Sequence, residues 1–523
     1  MTPRRLDQLT IVLPALLAAA LCAIELGNRS LWLDEGATVG IASQHGAALW
    51  HGIAHDGGNM LAYYLLLHVI VGWFGDGSTV IRLPSLIGDA VTAAIVASLG
   101  LRLFADRRIA LSAGLLSAVS LPLVFWGQDA RGYAWMAALG AGSFLALTVI
   151  VQTPAGVRAP RGAVVAFGLT TLLGLYVGFD SVLLAGSQAL LVLVFFRDRA
   201  KLVLGTLAGV ALMCLPLAAL AVNRGSSQLF WVPKLSPAVL GQALTTLTSA
   251  GFSPNFHRTS TTAAEVALTG ILTIAVAVLA VRQRREHTSL ASLALIVLAA
   301  WLVVPAILAV GAALLGEPIE LSRAAILLIP ALSLLLGWGF WHPRLPRAAG
   351  LALLVAVLAL RALQLVPSYG VSPENWSAAT SYVLAATRSD PACVAFYPQD
   401  GREPFDYYLQ ASGDSATGLI PILPTAAWSR VQVYVERYRS LSTPRRAEIV
   451  NRCTSVWLIA SHSGRRYGPV TSQRDYRRYR RLIKELRAVY GKPKRTGFGY
   501  SARVHVFDFA RSAGPVEVVR HSS

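Results

Sequence analysis

Charge is scarce in this sequence. Only 14% of its 523 residues are Asp, Glu, Lys or Arg, against about 25% in soluble globular chains. That deficit excludes an ordinary soluble enzyme, and also a disordered chain, which needs little apolar content and much charge. Acids are the rarer sign, at 27 against 46 basic residues. No P-loop, no GxGxxG opening a helix and no HExxH occurs, which argues against a nucleotide-driven pump. No strongly spaced Cys or His cluster is present either. His51, His55 and Asp56, at i, i+4 and i+5, are the weak exception, so no metal site is assigned.

Hydrophobic residues make up 54% of the chain. Their apolar runs are continuous rather than alternating, which excludes a β-barrel and predicts a polytopic α-helical membrane protein. About eleven spans are expected, at 9–26, 83–101, 109–126, 133–152, 163–178, 181–196, 202–222, 263–281, 289–315, 324–341 and 348–366. Arg4 and Arg5 precede the first span and place the N-terminus inside. The later inside loops hold Arg102, Arg107 and Arg108; Arg158 and Arg161; Arg197, Arg199 and Lys201; Arg282, Arg284 and Arg285; Arg344 and Arg347. The loops between them are nearly free of Arg, so residues 371–523 fall outside. A multi-pass protein of the cell inner (plasma) membrane follows, with residues 1–370 as its membrane domain. Residues 371–523 form a soluble extracytoplasmic domain holding 23 Lys+Arg and 12 Asp+Glu, a net +11. This basic excess reads as contact with anionic membrane lipid rather than nucleic acid.

Residues 60–74 test that topology. They are apolar but few, and counting them as a span would turn every later Arg cluster outward. They are expected to form a juxtamembrane or re-entrant helix within a long first outer loop, 27–82. The first span reads as a retained anchor rather than a cleaved signal peptide.

With acids so scarce, those on the outer side stand out. Asp34 and Glu35 follow the first span at once. They suit a general base for an acceptor hydroxyl, or Asp34 caps a helix running to Trp50; the two are compatible. Asp129 and Arg131 occupy a short outer loop, as a phosphate-binding pair or as an ion pair closing a turn. Glu317, Glu320 and Arg323 head a late span, where Arg323 either anchors a lipid phosphate or snorkels. Asp89 lies inside a span, where it either contributes to a polar interior or pairs with Arg82. The outer stretch 223–262 reads as a lid or a plain loop, with Phe230, Trp231 and a helix at 237–250.

Four places resemble the GT-C membrane glycosyltransferases, especially family 39-like enzymes. These include protein O-mannosyltransferases, the aminoarabinose transferase of lipid A, and actinobacterial arabinofuranosyl- and mannosyltransferases. Leu31-Trp32-Leu33-Asp34-Glu35 is similar to the family's first-loop Trp-x-Asp-Glu motif. Leu61 to His68, with Tyr63 and Tyr64, then Phe74-Gly75 and Arg82 to Ser85, resemble the rest of that loop. Gln128-Asp129-Ala130-Arg131-Gly132-Tyr133 resembles the Gln-Glu-Ala-Arg-x-Tyr motif. Arg323 before an Ile-Pro span is similar to a late-span Arg. The resemblance implies inverting transfer of a sugar from a polyprenyl-phosphate donor to a hydroxyl of a glycan, glycolipid or protein on the outer face, whether hexosyl or pentosyl. It implies Asp34 as general base, Glu35 and Asp129 as positioning acids, and Arg131 and Arg323 against the leaving phosphate. No cofactor is implied; a divalent cation stays open. Where the family shows a His-Pro-Pro type sequence, His55 to Ala62 stands instead, and Asp56 and Asn59 there are candidates to contact a sugar.

The C-terminal domain reads as mixed α/β, with strands at 393–397, 455–460 and 504–509 and helices at 428–438 and 476–490. Cys393 and Cys453 begin two of these strand runs; outside the cytoplasm a disulfide between them is plausible. Two other functions remain open: a transporter or flippase of a lipid-linked saccharide, and a non-catalytic cell-envelope assembly protein.

Overall fold

The computed structural model describes residues 2–225, 229, 232–251, 261–286, 290–387, 392–413, 418–425, 449, 451–464, 466, 470–500 and 502–510. The chain divides into two compact units. One comprises Met1–Arg29 and Ile41–Val371; the other comprises Ser30–Gly40 and Ser372–Ser523.

The first unit is helical. Among the described residues, seven helices are long and apolar enough to cross a membrane: Pro3–Ala23, Ser78–Phe104, Tyr133–Gln152, Thr262–Arg282, Ser292–Leu314, Leu321–Phe340 and Arg347–Tyr369. Two bent pairs, Arg107–Ala118 with Leu121–Gly127 and Arg197–Met213 with Leu215–Arg224, raise the number to nine if each is one span. Two further expected spans coincide with the shorter apolar helices Arg161–Val177 and Phe179–Phe195, which length alone does not make crossings. Residues 60–74 form the 14-residue helix Leu61–Phe74, which buries Tyr63, Tyr64 and Leu67.

Small residues let these helices approach closely. A Cβ on Gly100 would meet Ala110 Cα at 2.6 Å. Large apolar side chains such as Leu16, Ile274, Ile307 and Leu351 remain exposed on the outside of the bundle, as lipid-facing positions require. Helices Thr262–Glu286 and Arg347–Tyr369 carry a buried ion pair, Arg361 Nε to Glu265 Oε1 at 3.1 Å. Inside a membrane bundle a charge of either sign is costly unless so matched. Asp89 is buried in the polar interior rather than paired with Arg82. It accepts a hydrogen bond from Cys22 Sγ at 3.2 Å, while Arg82 donates to the carbonyls of Leu26 and Arg29. Those carbonyls lie in the stretch that follows the first helix, past its last residue Ala23.

The second unit is a three-layer α/β domain. Its five-stranded sheet consists of β1 (Ala392–Tyr397), β2 (Leu419–Leu423), β3 (Ser455–Ala460), β4 (Lys494–Phe498) and β5 (Val504–Ala510), in the order β2-β1-β3-β5-β4. β1 pairs in parallel with β2 and β3, whereas β5 is antiparallel to β3 and β4. β1 is buried along its whole length, the pattern of a central parallel strand covered on both faces. One face packs Val394, Phe396, Trp457, Ile459 and Val506 against Trp376 and Phe405 of helices Trp376–Ala386 and Arg402–Ala411. Helix Val470–Tyr490 covers the other, with Tyr479 against Tyr397 and Phe507. Cys393 and Cys453 are joined by a disulfide, with Cα atoms 5.7 Å apart. The expected helix at 428–438, together with Phe230 and Trp231, lies outside the described residues.

Candidate active site

The first-loop motif belongs to the α/β unit. Helix Leu33–Ala42 begins before Asp34 rather than being capped by it, so Asp34 and Glu35 both sit in its first turn. There the unpaired amide groups favour negative charge. The helix does not continue to Trp50. It stops at Ala42, and a second helix starts at Gly46 with φ +54°, a conformation that favours glycine. Glu35 is fully buried and Asp34 half-buried. Gly36 makes the close approach possible, because a Cβ there would lie 3.0 Å from Pro404 Cδ.

Four polar contacts fix this segment. Ser30 N donates to Ser372 Oγ at 3.0 Å, Ser377 N to Ser30 Oγ at 3.1 Å, and Leu31 N to Tyr408 OH at 2.7 Å. Leu33 N donates to Glu374 Oε2 at 3.2 Å. The same oxygen accepts from Trp376 Nε1 at 2.7 Å, and Glu374 Oε1 lies 2.6 Å from His462 Nε2. Burial alone would lower the His462 pKa. The Glu374 carboxylate, with Asp34 and Asp400, outweighs that and pushes it to about 9, so the ring is an imidazolium at neutral pH. Asp400 is raised to about 6, first by burial and also by Glu374 and Asp34, against the opposing pull of His462. Glu403 is held well above its usual range by burial and by the neighbouring Asp400 and Asp406. Glu374, Asp400, Glu403 and His462 did not stand out in the sequence.

The other expected site residues lie in the membrane unit, in two groups. In the first, Tyr64 OH donates to Asp56 Oδ2 at 2.7 Å, and Arg131 Nη1 approaches Tyr64 OH at 3.4 Å. Tyr63 OH and Ser85 Oγ are 2.8 Å apart, and Ser85 Oγ donates to the Arg131 carbonyl at 3.0 Å. Asn59 follows in the same turn, its amide donating to the Asp56 carbonyl at 3.4 Å. In the second, Arg323 Nη1 donates to Tyr133 OH at 2.7 Å, and its guanidinium lies 5.8 Å from the Trp126 ring centre. Trp126 and Tyr133 are themselves 4.1 Å apart, centre to centre. Asp180 lies within electrostatic range of both Arg323 and Glu320.

Asp129 Oδ2 lies 3.6 Å from Arg29 Nη2, and Arg29 also donates to the Gln128 carbonyl at 2.8 Å. The pairing with Arg29 was not anticipated, since Arg29 lies 100 positions earlier. Arg29, Arg131 and Arg323 are all buried, and a buried guanidinium presents a rigid fork suited to phosphate. Among the described residues, no group of three or more His, Cys, Asp or Glu side chains is arranged to hold a metal ion.

The fold has known counterparts. It is similar to the crystal structure of ArnT from Cupriavidus metallidurans in the apo state, with a TM-score of 0.57 and 15% identity over 97% of this chain and 99% of that one. The same protein bound to undecaprenyl phosphate gives a TM-score of 0.55 at 14% identity, with the same coverage. The archaeal oligosaccharyltransferase AglB from Archaeoglobus fulgidus, in complex with an inhibitory peptide and a dolichol-phosphate, gives 0.53 at 12% identity over 98% of this chain and 75% of that one. The chain thus has the fold of the GT-C membrane glycosyltransferases. No family model matches the sequence, and no curated protein matches it.

Proposed function

We propose that the chain is a glycosyltransferase that takes a sugar from a polyprenyl-phosphate donor and places it on an acceptor hydroxyl at the outer face of the membrane. The observation that carries this reading is the likeness, over nearly the whole chain, to two solved structures, one bound to undecaprenyl phosphate and one in complex with a dolichol-phosphate. The residue chemistry agrees with it. A phosphate leaving group needs cationic stabilisation more than it needs a proton, and Arg131 and Arg323 supply buried guanidinium groups. Asp34 is the general base. It takes the acceptor proton as the hydroxyl oxygen attacks the anomeric carbon. The bond from that carbon to the phosphate oxygen breaks, the electron pair leaves with the polyprenyl phosphate, and the anomeric configuration inverts. Glu35 and Asp129 act as positioning acids, while Asp56, Asn59, Tyr63 and Tyr64 contact the substrate. The α/β unit lies outside the cytoplasm, a side supported by its disulfide and by the alternation of Arg among the loops.

The experiment supplies purified protein in lipid with polyprenyl-phosphate sugars labelled on the sugar, hexose and pentose in turn, and with a membrane extract as acceptor. The expected result is label in an acceptor and stoichiometric release of polyprenyl phosphate. No turnover of any such donor contradicts the proposal.

A further inference from the structure

We propose that His462, held by Glu374, is a positioning residue for Asp34: an imidazolium at the carboxyl edge of the sheet that balances and orients the carboxylate for proton abstraction. This rests on the reading of Asp34 as the base.

Topology supplies the first argument. In the order β2-β1-β3, the chain leaves β1 for one neighbour and later returns to the other, so a switch point lies between β1 and β3. In open α/β sheets, the crevice beyond the carboxyl ends of the strands at a switch point is where ligands bind. Tyr397 and Ala460 are paired at those ends. Asp400 follows Tyr397 by three positions and His462 follows Ala460 by two.

The second argument is conformational. His462 has φ +44°, in the left-handed region that a side chain enters at a cost. Residues held in this way concentrate at functional sites. The third argument is connectivity. One carboxylate, Glu374, holds the imidazole at 2.6 Å through Oε1 and the backbone amide next to Asp34 at 3.2 Å through Oε2. Ring and base are therefore positioned by a single buried group. The charged groups acting on His462 are Glu374 before helix Trp376–Ala386, Asp400 after β1 and Asp34 in the first turn of helix Leu33–Ala42. All three are acids, so the ring keeps its proton while Asp34 gains and loses one. His462 is 36% exposed, which leaves it open to reagents.

The test follows acylation of His462 by diethyl pyrocarbonate, which attacks only the neutral imidazole, by peptide mass spectrometry of the full-length protein across pH. The wild type is expected to react with an inflection near 9. Asp34→Asn and Glu374→Gln are each expected to move it down by about a unit, as loss of a neighbouring negative charge requires. In parallel, transfer is measured against pH. His462→Gln is expected to lower kcat on the order of tenfold to a hundredfold, with little change in donor KM. The same variant should also lack the alkaline decline that the wild type shows as the ring deprotonates. An inflection near the ordinary 6.5, or one that Asp34→Asn leaves in place, overturns the proposal even if the wild type transfers sugar. A shifted inflection in a protein that transfers nothing overturns the transferase reading, and with it the catalytic meaning of the pair, while the electrostatic coupling stands.

Discussion

Glu374 Oε1 lies 2.6 Å from His462 Nε2, with the carboxylate fully buried and the imidazole at the surface of the same unit. The pair makes the stability of the α/β unit depend on pH. The folded His462 titrates near 9, against 6.5 for an ordinary histidine. Its contribution is therefore complete below 6.5 and is lost as pH rises through 9. Allowing for solvent screening at a partly exposed ring, the loss is on the order of 1–2 kcal/mol. Thermal unfolding between pH 6 and 10 should show this decline in the wild type, and Glu374→Gln should flatten it while lowering stability at pH 6.

The buried Arg29–Asp129 pair should behave asymmetrically. Asp129→Ala removes the carboxylate 3.6 Å from the buried Arg29 and should cost about 3 kcal/mol. Replacing both residues with apolar side chains should recover part of that loss. Unfolding in detergent of the single and double variants measures the difference. A double change that costs the sum of the two single changes would mean that the two charges act independently.

Arg131 and Tyr64 should separate in their effects. Arg131→Ala removes a cation proposed to face the leaving phosphate and should lower kcat by about 10²–10³. Tyr64→Phe removes one hydroxyl that binds Asp56 and should lower kcat/KM by about tenfold, the worth of one hydrogen bond. Both variants should keep the wild-type unfolding temperature to within a few degrees.

Topology can be checked with single cysteines at exposed loop positions. A cysteine replacing Ala155 should react with an impermeant maleimide only after the cells are permeabilised. One replacing Asp76 should react in intact cells. Reversed labelling would mean that Leu61–Phe74 crosses the membrane.

Much of the fold was legible in the sequence because membrane helices announce themselves locally. Apolar runs marked the long membrane helices, and Arg in alternate loops suggests an orientation. β1, β3 and β5 were legible for a similar reason, as short apolar runs bounded by turns. β2 and β4 were not. β2 contains Pro421, and β4 reads Lys-Arg-Thr-Gly-Phe; both are edge strands whose pairing, not composition, makes them strands. The break between Ala42 and Gly46 was also missed, because the apolar period continues across it.

The candidate site was legible in the sequence chiefly where its residues are neighbours in the chain. Asp34 with Glu35, and Asp129 with Arg131, could be picked out as rare acids beside aromatics or Arg. The partner of Asp129 is Arg29, which sequence reasoning had no cause to link to it. Glu374, Asp400 and His462 come together only because β1 and β3 lie side by side with parallel carboxyl ends. No spacing rule connects positions 374, 400 and 462, and in a basic domain they read as scattered solvated polar residues.

Asp34 is the proposed base of a transfer from polyprenyl phosphate. Its most direct test is the rate of sugar transfer from a labelled polyprenyl-phosphate donor by Asp34→Asn, at saturating donor and beside the wild type. In that variant kcat is expected to fall by about 10²–10⁴-fold, the usual contribution of a general base, while the fold is kept. A rate within about twofold of the wild type, far short of that loss, would contradict that role.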